Sequence, residues 1–161
     1  MSVYDVIGDL LLKLRFRYQV EEVEDASELA GLIKEQVEGE EKTYIYSPPG
    51  RPRPYLVSTM RRGEDVALAF LDLDDVREVK YGGDTEALEE ASLVIPEEGV
   101  APFLCPLKKS DDVVYAALGF KTVVNASLLT GGFLESLLED FEQNSDYYFS
   151  LVKNKLEKGE N

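Results

Sequence analysis

The chain is 161 residues and 18.0 kDa, with 44% hydrophobic and 30% charged residues, the proportions of one globular domain that buries a core without disulfides or metal. Seventeen Lys and Arg against 32 Asp and Glu leave a net charge of −15, which argues against nucleic-acid partners because phosphate binding needs clustered positive charge. With no histidine, Ser-His and Cys-His nucleophiles, imidazole metal ligands and the side chain best suited to proton transfer near neutrality are missing, so no enzymatic activity and no cofactor are expected.

Ser2 is placed to cap a helix over about residues 3 to 15, with Asp5 as the reciprocal carboxylate and Val3, Val6, Ile7, Leu10, Leu11 and Leu14 as its apolar stripe. Leu12 lies outside that stripe. Beyond it Leu14, Phe16, Tyr18 and Val20 alternate with polar residues, so the segment to Val23 reads as a strand or as a helical extension. Asp25 then caps a second helix over about 26 to 38, carrying Leu29, Leu32, Ile33 and Val37 and ending before Gly39.

From Thr43 the period changes to two. Thr43 to Ser47, Tyr55 to Met60, Val66 to Leu73 and Val76 to Tyr81 are short β-branched and aromatic runs, and their short connections predict an antiparallel meander. The first connection, residues 48 to 54, holds four prolines and is predicted to be a stiff exposed loop. Gly82 and Gly83 break the sheet, and Asp84 caps a short helix to about Ser92. Val100 to Leu107 and Val113 to Val124 read as a further hairpin turning at residues 108 to 111; Pro102 and Pro106 mark the first as an edge strand, and Gly119 marks a bulge in the second. Asn125, although it opens a glycosylation sequon, reads as a helix cap.

The last segment has the strongest helical pattern, with Leu134, Leu137, Leu138, Phe141, Ser145, Tyr148, Val152 and Leu156 at spacings of three or four. Unbroken from Gly132 to Glu157, it would be roughly 40 Å long at 1.5 Å per residue, more than a small sheet covers. Either Gln143, Asn144 and Ser145 break it or its end projects toward a partner. The reading is one α+β domain over residues 1 to 157 with a tail at 158 to 161.

Three groups of residues are chemically suggestive. Asp72, Asp74 and Asp75 offer oxygen ligands for Mg²⁺ or Ca²⁺, although an EF-hand starting at Asp72 would have Val76 and Arg77 where it needs a ligand and glycine; they read first as a solvated turn. Arg51 and Arg53, in the proline loop, are candidate contacts for a carboxylate or phosphate. Tyr147, Tyr148 and Phe149 are consecutive on a helix and point about 100° apart, so burying all three requires cover on most sides. With Leu12 and Val152 they form a candidate interface, either to the first helix of the same domain or to another chain.

Cys105 cannot form an internal disulfide and reads as a small buried hydrophobe; with no secretory h-region and no long apolar run, a cytoplasmic protein away from the membrane is expected.

The order of elements, with the runs Val113-Val114-Tyr115, Val123-Val124-Asn125-Ala126, Leu128-Leu129, Phe133-Leu134 to Leu138 and Tyr147-Tyr148, resembles the type III secretion chaperone-like fold and the YbjN-type sensory-transduction regulators. The second N-terminal helix and the proline loop depart from that plan. The resemblance implies a small acidic cytoplasmic protein, often a homodimer, that binds another polypeptide along sheet edges or across apolar grooves and catalyses nothing; it brings no site residues. The alternatives are a small-ligand or divalent-metal-binding protein using the acidic turn and the arginine loop, and a structural subunit with a fixed partner.

Overall fold

The computed structural model describes residues 2–18, 20–81 and 99–159. Among them are four α-helices and six strands: α1 (Val3–Arg17), β1 (Glu21–Val23), α2 (Ala26–Lys34), β2 (Glu41–Tyr46), β3 (Tyr55–Arg62), β4 (Asp65–Lys80), β5 (Val100–Ser110), β6 (Val113–Asn125), α3 (Gly131–Gln143) and α4 (Ser145–Gly159). The strands form one mixed sheet in the order β1-β2-β3-β4-β6-β5, antiparallel except for β1 and β2. The fold is therefore α+β. The helix expected at residues 84 to 92 lies outside the described residues.

Side-chain alternation divides the core between two faces of this sheet. Tyr55, Val57, Leu68, Phe70, Ala116, Leu118 and Phe120 face α2, α3 and α4, and the aromatic residues among them belong to a line crossing four strands and two helices. Ring centroids step from Tyr46 to Tyr55 (6.1 Å), Phe70 (6.3 Å), Phe120 (5.1 Å), Phe141 (4.6 Å) and Tyr148 (5.5 Å). On the opposite face Ile7 and Leu11 of α1 pack on Leu71, Leu73, Ala117, Phe103 and Cys105. Cys105 is half-buried in this apolar cluster.

Several local expectations are met. Ser2 and Asp5 form a reciprocal capping box, the Asp25 side chain accepts from the Ser27 amide, and Asn125 accepts from the Ser127 amide at 2.9 Å at the head of a single 3₁₀ turn. β5, with its two prolines, is an edge strand. The C-terminal helix is broken: Asn144, at φ −108° and ψ 16°, closes α3 through its amide and side chain, both bonded to the Asp140 carbonyl, and its own carbonyl accepts from Tyr148 in α4.

Other expectations are corrected. Of the two readings of the segment from Leu14 to Val23, the helical extension holds as far as Arg17, with Arg15 paired to Glu22 at 2.6 Å, and a strand begins only at Glu21 as β1. β1 is parallel to β2 and linked to it through α2, the crossover that a parallel pair requires. α2 stops at Lys34, because Gln36 turns inward to donate to the Tyr44 hydroxyl (2.7 Å) and the Thr59 hydroxyl (2.5 Å), which leaves Val37 exposed. The hairpin turns at Asp111-Asp112, with Asp111 at φ 55°, so Lys108 and Lys109 belong to β5. α4 continues to Gly159, two residues into the expected tail, and residues 160 and 161 lie outside the described ones.

The largest correction concerns residues 72 to 75, expected to turn between two strands. β4 is continuous through them: Leu71 pairs with Gly119 and Val76 with Ala117, so five steps on β4 oppose two on β6. The three extra residues are an odd number, so the helix-facing positions change from Val66, Leu68 and Phe70 before the bulge to Val79 and Tyr81 after it. The bulge is thus on β4 and not in β6. Gly119 is required for another reason: a Cβ there would stand 2.5 Å from Phe103 Cζ and 2.5 Å from the Phe70 carbonyl oxygen.

Two neighbouring glycines give a paired test of the α2–α3 contact. A Cβ on Gly131 would overlap Ser27, meeting its amide nitrogen at 2.8 Å and its Cα at 2.9 Å, whereas one on Gly132 meets nothing within 4 Å. Gly131→Ala is expected to cost about 1–3 kcal/mol through overpacking. Gly132→Ala is expected to be neutral or to stabilise by up to about 1 kcal/mol through helix propensity. Urea midpoints of the two variants check both signs.

Candidate binding surface

The bulge brings the acidic run and the proline loop together. β3 pairs with β4 as far as Tyr55 opposite Asp72, so residues 51 to 54 continue alongside residues 72 to 75, and the Leu73 amide donates to the Pro54 carbonyl at 3.2 Å. Each bulge aspartate meets an arginine: Arg51 with Asp72, Arg53 with Asp74 at 3.0 Å, and Arg77 with Asp75 at 2.9 Å. The two chemical candidates of the sequence are largely each other's counter-ions.

Asp72 is the buried member, 4% exposed, and also accepts from the Asp74 amide at 2.9 Å. Arg51 donates to Glu142 of α3 as well, lies 4.1 Å over the Tyr55 ring, and shares Glu142 with the Tyr55 hydroxyl. Burial raises the Asp72 carboxyl to about 6, against the downward pull of Arg51 and the Asp74 amide. Burial also pushes the Tyr55 hydroxyl far above its ordinary value, reinforced by Glu142. Arg53 covers the Tyr4 ring at 3.7 Å, and Arg77 reaches Asp146 at 2.7 Å and lies 4.9 Å from the centre of the Phe149 ring. These contacts join α1, α3 and α4 to the bulge. Arg51 and Arg53 thus spend their forks on the chain's own carboxylates, and among the described residues no group of three or more Asp, Glu, Cys or His is placed to hold a metal ion.

The α1 side of the sheet offers a different kind of surface. α1 covers only part of it, and past the helix Thr43, Ser58, Ala67 and Ala69 form a floor of small side chains between Met60 and Lys121. This trough encloses about 340 Å³. Sharing Glu41, Lys42 and Thr43 with it is a second hollow of about 660 Å³, which runs to Leu14 and Tyr18 at the end of α1 and to Val20 and Glu21. Burial lowers the Lys121 ammonium below the usual lysine range, and its Nζ lies 5.2 Å from the centre of the Phe103 ring.

No family model, no curated protein and no solved structure matches the chain.

The expected interface residues separate. Val152 is buried with the main core, and Tyr148 and Phe149 are half-buried against it, Tyr148 stacked on Phe141 and Phe149 beside Arg77. Of the consecutive aromatics only Tyr147 is exposed, at 62%, since it lies about 100° around α4 from Tyr148 and off the row that Tyr148 and Val152 share. Leu12, at 63% exposed, remains on the outer side of α1, where Tyr4 and Phe16 are exposed as well, and Tyr18 is exposed at the C-cap. Those three were missed in the sequence. The signal for Tyr4, Leu12 and Phe16 was present as a second helical row, Tyr4-Gly8-Leu12-Phe16 at four-residue spacing, beside the stripe that packs inward.

Proposed function

We propose that the protein is a non-enzymatic polypeptide-binding protein of the cytoplasm, chaperone-like or adaptor in type, whose partner lies in the trough on the α1 side of the sheet. The observation that carries this reading is the partial roof: α1 covers one part of an apolar sheet face and leaves the floor of Thr43, Ser58, Ala67 and Ala69 open beside Met60. Small floor residues admit a partner's side chains, and a methionine wall adapts to varied ones. Addition of a partner along the edges is disfavoured by the edges themselves, since β1 has three residues and β5 carries two prolines and two lysines. No helix among the described residues is long and apolar enough to cross a membrane. The alternative, a small ligand or divalent ion at the acidic turn and the arginine loop, has against it the three arginine–aspartate pairs.

A photo-crosslinking residue in place of Met60 is expected to give discrete polypeptide adducts in cells, and the same residue in place of exposed Glu28, under the opposite face, is expected to give none. Tyr18→Asp, in the hollow that adjoins the trough at Glu41, Lys42 and Thr43, should lower the position-60 yield about tenfold, the effect of roughly 1.4 kcal/mol. Absence of adducts from position 60, or equal yields from position 28, overturns the reading.

A further inference from the structure

We infer that the outer side of α1 pairs with the α1 of a second copy of this chain, antiparallel about a twofold axis, on a surface separate from the trough. The stripe Tyr4, Gly8, Leu12 and Phe16 is a row of residues four apart, the ridge used in the commonest class of helix packing. It is left largely outside: Leu12 is 63% exposed and Phe16 95%, and Tyr4, with Arg53 over one face of its ring, is still 53% exposed. At its centre Gly8 is a gap, for a Cβ there would meet nothing within 4 Å.

The stripe is its own complement. With Gly8 opposite Leu12 of the second copy, the same antiparallel register sets Tyr4 opposite Phe16, then Leu12 opposite Gly8 and Phe16 opposite Tyr4. Each leucine seats over the other copy's glycine, as a twofold interface requires of one surface patch. Charge selects the direction. Asp5 and Asp9 lie in the first half of the helix and Lys13 and Arg15 in the second, Arg15 also pairing with Glu22 of its own chain, while Arg17 falls on the far side of the helix. Antiparallel pairing lays each acidic half along the other copy's basic half, whereas parallel pairing sets like beside like.

The charge pattern also favours a second copy as occupant. Three basic and two acidic residues give α1 a charge of +1, so the rest of the chain carries −16. Two copies repel through most of their surfaces, and α1 is an approach that carries both an apolar stripe and a compensating charge pattern. Two crossed helices bury less than the roughly 1,200 Å² of a stable complex, so the pair is weak and dependent on concentration and salt.

Light scattering behind a sizing column, run over a wide concentration series, tests this on the full chain. The wild-type mass is expected to rise from one chain toward two. Gly8→Leu fills the gap that Leu12 of the other copy needs while giving the single chain a better helix former, so it should stay monomeric with its melting temperature unchanged or raised. Lys13→Glu should weaken association about tenfold, and mixing that chain with an Asp9→Lys chain should restore it. A wild type that stays monomeric at the highest concentration, or a Gly8→Leu chain that dimerises like wild type, overturns the inference. The position-60 adduct keeps the two readings apart: a monomeric wild type that still gives it overturns the pairing alone, and a dimer lacking it overturns the trough alone.

Discussion

Arg51→Met is expected to destabilise the protein by about 3–5 kcal/mol at pH 7.5, the cost of leaving a buried charge without its partner. The guanidinium is the counter-ion of Asp72, which is almost fully buried at the bulge and keeps otherwise the Asp74 amide. The loss depends on pH with a definite sign. The folded Asp72 carboxyl titrates near 6, above its ordinary 3.8, so the folded chain holds a proton that the unfolded chain has released. Its contribution to stability is therefore present below about pH 4 and is lost as pH rises through about 6. Removing Arg51 raises that carboxyl further and extends the window upward, so the variant should lose more at pH 7.5 than at pH 5. The double variant Arg51→Met/Asp72→Asn, which keeps an acceptor for the Asp74 amide, should recover more than half of the loss and flatten the pH profile. Urea midpoints at the two pH values read both effects; equal losses at pH 5 and pH 7.5 would count against a buried, charge-coupled Asp72.

Phe120→Ala is the second large effect, expected to cost about 3–5 kcal/mol. Phe120 is fully buried on β6, stacked on Phe70 at 5.1 Å and 4.6 Å from Phe141 of α3, so it joins the sheet to the helical layer midway along the aromatic line. Truncating it leaves a hole flanked by two rings belonging to different elements, which cannot close without moving α3. Phe120→Leu, which keeps most of the volume, should cost about half as much or less. A fall in the urea midpoint with an unchanged slope is the expected reading, since the native state stays intact below the transition. A loss under about 1 kcal/mol would mean that the line of rings is not the joint between the layers.

What the sequence disclosed follows from the range over which each signal acts. Caps act over three residues, so Ser2, Asp25 and Asn125 were legible. Strand periodicity and proline chemistry are also local, and they placed β2, β3, the proline loop and the edge character of β5. β1 was not legible, because three residues are too few for alternation to be distinguished from a helix end. Asp residues favour turns, so residues 72 to 75 carry a local turn signal, and only pairing with β6 on both sides keeps the strand going. The arginine–aspartate pairs span 21 residues for Arg51 and Arg53, so they depend on a register that no local pattern encodes. The apolar stripe of the last helix was legible: Tyr148 and Val152 lie on it and turn inward, whereas Tyr147 lies about 100° off it and stays exposed.

The bulge on β4 also governs how this chain tolerates changes of length. Three surplus residues reverse the alternation between Leu71 and Val76, so losing one of residues 72 to 75 would turn Val79 and Tyr81 away from the helices and send their polar neighbours inward. Losing two keeps the alternation. Length changes in this stretch are therefore acceptable in even steps only, and the segment behaves as a phase element whose parity is under tighter constraint than its length.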